Sequence, residues 1–277
     1  MMPEPLMHSE LTPDADHARR FGGIARLYGD AGLQRLSQAH ICVIGVGGVG
    51  SWVVESLARS AVGRLTLIDM DMVALSNVNR QILATSETVG RDKIRVLQDR
   101  VKQINPQCAV ELVDDFIRPE NVADLLCSRF DYVVDCIDDF RCKAALIAHC
   151  RVAKIKVITV GGAGGQIDPT KIRQSDLSRT QHDVLLARTR KLLRQSYGLP
   201  RNPKRSFGVP CVYSDEQLVF PDGAGGVSLQ RPLPSGDGSQ SNALSCAGGL
   251  GSITHVTATF GLLAAGYILN ALAHEGD

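Results

Sequence analysis

The run Gly45-Val46-Gly47-Gly48-Val49-Gly50, set between a dense apolar stretch and a segment of helical spacing, constrains this chain more than any other feature. Glycine accepts conformations that side chains forbid, so such a run makes the tight turn from a strand into a helix. It also lets amide N–H groups at the helix start approach an anion. Residues 40–45 read as a buried strand beginning near Ile41, and 51–61 as the helix. Residues 65–69 form a second apolar strand ending in Asp69, where a carboxylate is placed to accept hydrogen bonds from ribose hydroxyls. Together these elements make a nucleotide site, but they do not separate ATP from NAD.

The alternation continues along the chain. Helices are predicted at 92–104, closed by Pro106, and at 119–126 and 140–154; short apolar strands lie at 109–113, 132–136 and 157–160. Strands buried on both faces and spaced by helices imply an α/β fold: a doubly wound, Rossmann-like, mainly parallel sheet with helices on both faces. An amphipathic helix carrying Ile24, Leu27, Tyr28, Leu33 and Leu36 precedes it. At 277 residues, 44% hydrophobic and 21% charged, the chain suits a single domain over 20–277 whose C-terminal part extends the same body. Residues 1–19 read as a flexible tail, with Pro3, Pro5 and Pro13 and no signal-peptide apolar core, which points to the cytoplasm.

Residues 244–273 contain no Asp, Glu, Lys or Arg. Ser245, Ser252, Thr254, His255, Thr257 and Thr259 dilute their first half, so a helix buried in the body or in a dimer interface is expected rather than a membrane span. The Gly/Ser/Pro-rich stretch 221–243 is expected to be mobile.

The residues just after Asp69 decide the nucleotide. The segment from Asp69 and Asp71 to Ser76-Asn77-Val78-Asn79-Arg80-Gln81 places Asn, Arg and Gln side chains beyond the second strand, and Lys93 opens the next helix. Arg80 and Lys93 suit a triphosphate, whose charge they can neutralise as pyrophosphate departs; a dehydrogenase does not need them. The bland alternative is a solvated loop with an exposed helix lysine. Asp135, Asp138 and Asp139 end the strand at 132–136, on the sheet edge where such folds bind ligands. One of the three can hold Mg²⁺, which takes one or two carboxylates, and one can cap the following helix.

These residues resemble the ubiquitin-activating-type adenylyltransferases, which include the bacterial activators of molybdopterin and thiamine sulfur carriers. The resemblance rests on Gly45, Gly47, Gly48 and Gly50, Asp69 with Asp71, Ser76-Asn77 with Arg80-Gln81, Lys93, and Asp135 with Asp138. It implies that Asp69 binds ribose, Asn77, Arg80 and Lys93 the phosphates, and Asp138 the Mg²⁺, with ATP as the nucleotide. Arg20-Phe21-Gly22-Gly23-Ile24-Ala25-Arg26-Leu27-Tyr28-Gly29, the run from Gly161 to Pro169, and Ala258-Thr259-Phe260-Gly261 look most similar to one branch, which modifies tRNA. That branch implies a homodimer that adenylates the carboxylate of threonylcarbamoyladenosine beside the anticodon. An internal nucleophile then closes a five-membered ring and releases AMP. Arg20 or Arg26 is a candidate arginine finger, although Gly23 stands where the sulfur-carrier activators have a second arginine. None of the eight cysteines forms a CxxC pair, so no structural zinc is expected. A monovalent cation and sulfur-relay partner proteins are left open.

Two alternatives compete with tRNA dehydration: adenylation of the C-terminal glycine of a ubiquitin-like sulfur carrier, and a nucleotide-binding module without catalysis. Net charge is only +1, so any nucleic-acid site must be local. The segment 181–210 supplies one, with Arg188, Arg190, Lys191, Arg194, Arg201, Lys204 and Arg205, interleaved with Tyr197 and Phe207 as stacking candidates. Cys246 is a candidate nucleophile with no neighbouring base or cation to activate it. His149 reads as a packed or surface histidine.

Overall fold

A computed structural model describes residues 12–126, 129–202, 204–230 and 250–275. Five short segments pair in parallel: β1 His40–Ile44, β2 Arg64–Ile68, β3 Ala109–Val113, β4 Tyr132–Asp135 and β5 Val157–Val160. β1, β4 and β5 are buried at every position, because helices cover the sheet on both sides. Two further strands, β6 Ile172–Asp176 and β7 Pro210–Ser214, complete a seven-stranded sheet of order β3-β2-β1-β4-β5-β7-β6. β7 runs parallel to β5, and β6 closes the edge antiparallel to β7. The direction of winding reverses between β1 and β4, and a crevice opens at the carboxyl ends of these strands.

Side-chain spacing divides the core in two. On one face α1 Pro13–Gln38, α2 Gly50–Arg59, α3 Lys93–Ile104 and α7 Thr254–Ala273 pack together; on the other lie α4 Val122–Leu125, α5 Phe140–Val152 and α6 Val184–Ser196. α7 is long and apolar enough to cross a membrane by composition, yet it is a core helix here. Val256, Phe260, Ala264, Ala265 and Ile268 are buried in the α2 face. Gly261 sets how closely α7 approaches α2: a Cβ there would lie 2.7 Å from Trp52 Cβ and 2.7 Å from the Val49 carbonyl oxygen. Tyr28 donates to Asn270 Oδ1 at 2.7 Å and Arg35 Nε to the Ala273 carbonyl at 3.0 Å, so α1 latches the end of α7.

The structure departs from the sequence pattern at three places. Residues 13–19 are helical rather than part of a loose tail. Thr12 accepts the Ala15 amide, Asp14 and Asp16 lie in the first turn, and Arg20 pairs with Asp16 at 2.6 Å, all of which favour a helix start. Within the stretch expected to be mobile, β8 Phe220–Pro221 and β9 Val227–Ser228 form a small hairpin whose turn is held by Asp222, which accepts the Ala224 and Gly226 amides. Residues 231–249, with Cys246, lie outside the described residues. β6 and β7 are the third departure, since Ile-Arg-Gln-Ser-Asp is a half-exposed polar edge strand without an apolar pattern.

Candidate nucleotide site

A cavity of about 610 Å³ opens at the switch point above the glycine turn. β1 delivers the chain into this turn, and the Gly45 N–H donates to the Ile68 carbonyl at 3.0 Å. Gly45 has φ +77, and a Cβ there would touch the Cys136 carbonyl at 3.0 Å; at Gly50 it would collide with the Gly45 carbonyl at 1.9 Å. These two glycines are demanded by the fold, and Gly50 lies beneath the cavity rather than in its wall. Gly47 and Gly48 do line it, and a Cβ on either would meet protein atoms only at ordinary contact, 3.6 and 3.5 Å. No side chain caps the start of α2, which leaves the helix end to a ligand anion.

Asp69 is buried and tightly engaged. One carboxylate oxygen accepts the Val46 amide and the other the Asp71 amide, both at 2.8 Å, so β2 fixes the glycine turn from below. Burial pushes its carboxyl above the usual range, opposed by Lys93 and these amides. Asp71 in turn orients Lys93: its Oδ2 accepts from Nζ at 2.8 Å and its carbonyl accepts the Lys93 amide. Lys93 is thus the buried lysine of the wall, not an exposed helix charge.

Asn77 is also buried, and its Oδ1 accepts the Ala74 amide at 3.0 Å, which shapes the loop that presents Arg80. One terminal nitrogen of Arg80 donates to the Ser76 carbonyl and to Asn79 Oδ1, leaving the rest of the guanidinium fork for a ligand. Gln81 lines the same wall, and its buried Oε1 has no partner among the described residues. The chain's far end braces this loop. Thr257 of α7 and Trp52 of α2 both donate to the Arg80 carbonyl, at 3.0 and 3.1 Å, and Asn79 donates to the Ser252 carbonyl.

The three acids after β4 divide between distinct roles. Asp139 caps α5 by accepting the Arg141 and Cys142 amides. Asp135 is fully buried, pairs with the equally buried Lys143 at 2.8 Å, accepts from Thr159 at 2.6 Å and holds the Ile137 amide. Of these three, only Asp138 lines the cavity, and among the described residues it has no hydrogen-bond or ion-pair partner. Mg²⁺ taken through one carboxylate and its own waters fits this donor set. Cys136 also lines the cavity, but burial pushes its thiol up to about 12, so it is not a ready nucleophile.

Several wall residues carry no mark in the sequence: Asp115, Phe116 and Ile117 after β3, Leu185 on α6, and Leu250 to Ser252 with Thr257. Only the fold shows that these distant segments converge. Asp183 lies behind this wall rather than in it; it caps α6 through the Leu186 amide and accepts the Gly162 amide at 2.8 Å. Arg20 is not in this chain's cavity; it contacts Asp16 and the Ile104 carbonyl instead.

The basic segment is only partly available. Arg188, Lys191, Arg201, Lys204 and Arg205 are exposed. Arg190 donates to Thr180, and Arg194 donates to the Pro200 carbonyl while stacking over Phe207 at 5.0 Å. Phe207 is 1% exposed and cannot stack on a base, whereas Tyr197 is 37% exposed. Those two arginines and Phe207 hold the segment together, in place of the solvent-facing role expected of them.

A model of the ThiF family matches residues 21–277 of the chain. The tRNA threonylcarbamoyladenosine dehydratase of Haemophilus influenzae is 51% identical, with 93% of this chain and 94% of that protein aligned. Crystal structures of the E. coli tRNA N6-threonylcarbamoyladenosine dehydratase in complex with ATP and with AMP are each 45% identical with a TM-score of 0.82. They cover 95% of this chain and 97% and 98% of theirs.

Proposed function

The chain belongs to the ThiF family, and from that premise we infer that it dehydrates threonylcarbamoyladenosine in tRNA, using ATP and passing through an acyl adenylate. The observation that carries this reading is the meeting of Arg80 and Lys93 with an uncapped helix start at one glycine turn, opposite an open Asp138. A site that only recognised a nucleotide would not need two cations where the outer phosphates leave.

The chemistry can be built from these placements. Gly47 and Gly48 let the triphosphate lie against the turn, and Asp69 and the unpartnered side-chain oxygen of Gln81 serve the ribose side. The threonylcarbamoyl carboxylate attacks the α-phosphorus, and the bond to pyrophosphate breaks. Arg80 and Lys93 stabilise the negative charge that builds on the departing group. Mg²⁺ would be held by Asp138 and, when bound, supplies further positive charge beside the phosphates. A nucleophile on the same side chain then attacks the activated carbonyl, closing a five-membered ring and expelling AMP. Attacker and target share one substituent, so high effective molarity leaves the protein the tasks of activation and orientation.

The enzyme works as a homodimer in the cytoplasm in this reading. The outer face of α7, with Leu262 49% and Leu263 37% exposed, offers apolar surface to a second copy. The test is mass analysis of nucleosides from threonylcarbamoylated tRNA incubated with protein, Mg²⁺ and ATP. The expected result is loss of one water, with AMP and pyrophosphate formed in step. Equal AMP formation on unmodified tRNA, or tight binding of NAD with indifference to ATP, would overturn it.

A further inference from the structure

The α5–α6 face carries a pair of arginines for which the nucleotide site has no use. Phe140, the first residue of α5, lies two positions after Asp138, and both Arg141 and Arg188 set their guanidinium carbons over its ring, 5.1 and 5.8 Å from the centroid. Leu185, one helical turn before Arg188, lines the cavity as Asp138 does, so the stacked pair stands at the cavity's rim. Both arginines are exposed, and among the described residues neither has an ion-pair partner. On the opposite face, Arg59, Arg91, Arg95 and Arg100 are each paired with a carboxylate.

Two guanidiniums gathered over one ring, neither in an ion pair among the described residues, repel each other, and an anion seated between them relieves that repulsion. Their planar forks match phosphate oxygens, and the ring fixes their planes in advance. The triphosphate has its own cations in Arg80 and Lys93 inside the cavity, whereas this pair faces outward. We propose that Arg141 and Arg188, on the Phe140 platform, clamp a backbone phosphate of the RNA next to the reacting nucleoside. The clamp rests on the tRNA reading above. It also gives the exposed cations beyond it a direction: α6 runs on about 12 Å from Arg188 toward Arg201, Lys204 and Arg205, room for further phosphates.

The experiment compares wild type, Arg141→Ala, Arg188→Ala, the double variant, and Arg95→Ala as a charge-matched control on the opposite face. Steady-state rates are measured on a threonylcarbamoylated anticodon stem-loop RNA with Mg²⁺-ATP, beside the Kd for ATP alone and RNA binding against salt. Each single substitution is expected to raise the RNA KM roughly tenfold, and the double more, while kcat at saturating RNA and the ATP Kd stay within about twofold. The salt slope of RNA binding should fall by about 0.7 for the lost phosphate contact. Arg95→Ala should change none of these. An RNA KM for the double variant within about twofold of wild type would overturn the clamp, and an equal rise in the ATP Kd would assign the pair to the triphosphate instead. Absence of dehydrated product with wild type would count against the tRNA reading itself; RNA binding by wild type and double variant would then still decide the clamp.

Discussion

At Gly48 a Cβ has room against the protein, and at Gly50 it has none. Gly48→Ala should therefore melt near wild type yet bind ATP at least about tenfold more weakly, because the methyl group stands where the phosphates approach. Gly50→Ala should fail to fold or lose several °C, since a 1.9 Å contact with the Gly45 carbonyl cannot relax. Differential scanning calorimetry beside ATP titration separates the two. Equal effects of both substitutions on melting would show that the turn's glycines are not divided in this way. Arg80→Ala should lower AMP formation by roughly 10²- to 10³-fold with an unchanged melting temperature. Asp135→Ala belongs to another class: it strands the fully buried Lys143 without its partner, and urea unfolding should show a loss of about 3–5 kcal/mol. A loss below about 1 kcal/mol would mean that Lys143 finds water or another acceptor.

Among the elements, α7 links α1 to the loop that carries Arg80. Its Gly261 packs against Trp52 and the Val49 carbonyl, so Gly261→Ala should push α7 from α2 and destabilise the protein by about 1–3 kcal/mol. Thr257→Val keeps the shape of the helix but removes the hydroxyl that donates to the Arg80 carbonyl. It should weaken ATP binding more than it lowers the melting temperature, and the opposite ratio would reduce Thr257 to a packing residue. The strands and helices around the glycine turn are legible in the sequence because continuous apolar runs and 3.6-residue spacing report burial directly. β3 at Ala109–Val113 and β5 at Val157–Val160 occur where the pattern puts them. β6 does not announce itself, because an edge strand pairs on one side only and tolerates Arg, Gln and Ser. Within the site, Arg80, Lys93 and Asp138 are visible through their places after strands. Thr257, Phe116 and Leu185 are not, since nothing local marks a residue whose neighbours are brought by the fold. Phe207 misleads for the related reason that interleaved charge and aromatic spacing cannot tell an outward ring from a buried one.

Across the whole molecule, the antiparallel edge of the sheet is tied to pH through one carboxylate. Asp176 ties the end of β6 to the chain before β7, accepting from the Ser178, Phe207 and Val209 amides and from the Ser206 hydroxyl. Burial pushes its carboxyl up, but hydrogen bonds from Ser178, Phe207 and Ser206 outweigh burial and hold it down at about 2. A depressed folded-state value stabilises the protein above the unfolded-state value of 3.8 and loses that contribution as pH falls toward 2. Melting temperatures measured from pH 5 to pH 2 should fall for wild type, and Asp176→Asn should start lower and fall less steeply; parallel curves would mean that Asp176 carries none of the pH dependence. The latch of α7 onto α1 has a consequence for how the molecule comes into being. On the ribosome, the sheet face that α7 seals stands bare until that helix emerges, and until then the Arg80 carbonyl has Trp52 but lacks its second donor, Thr257. Apolar surface on the nascent sheet is therefore open to wrong contacts before the nucleotide loop is fully braced, and both are settled by the same helix.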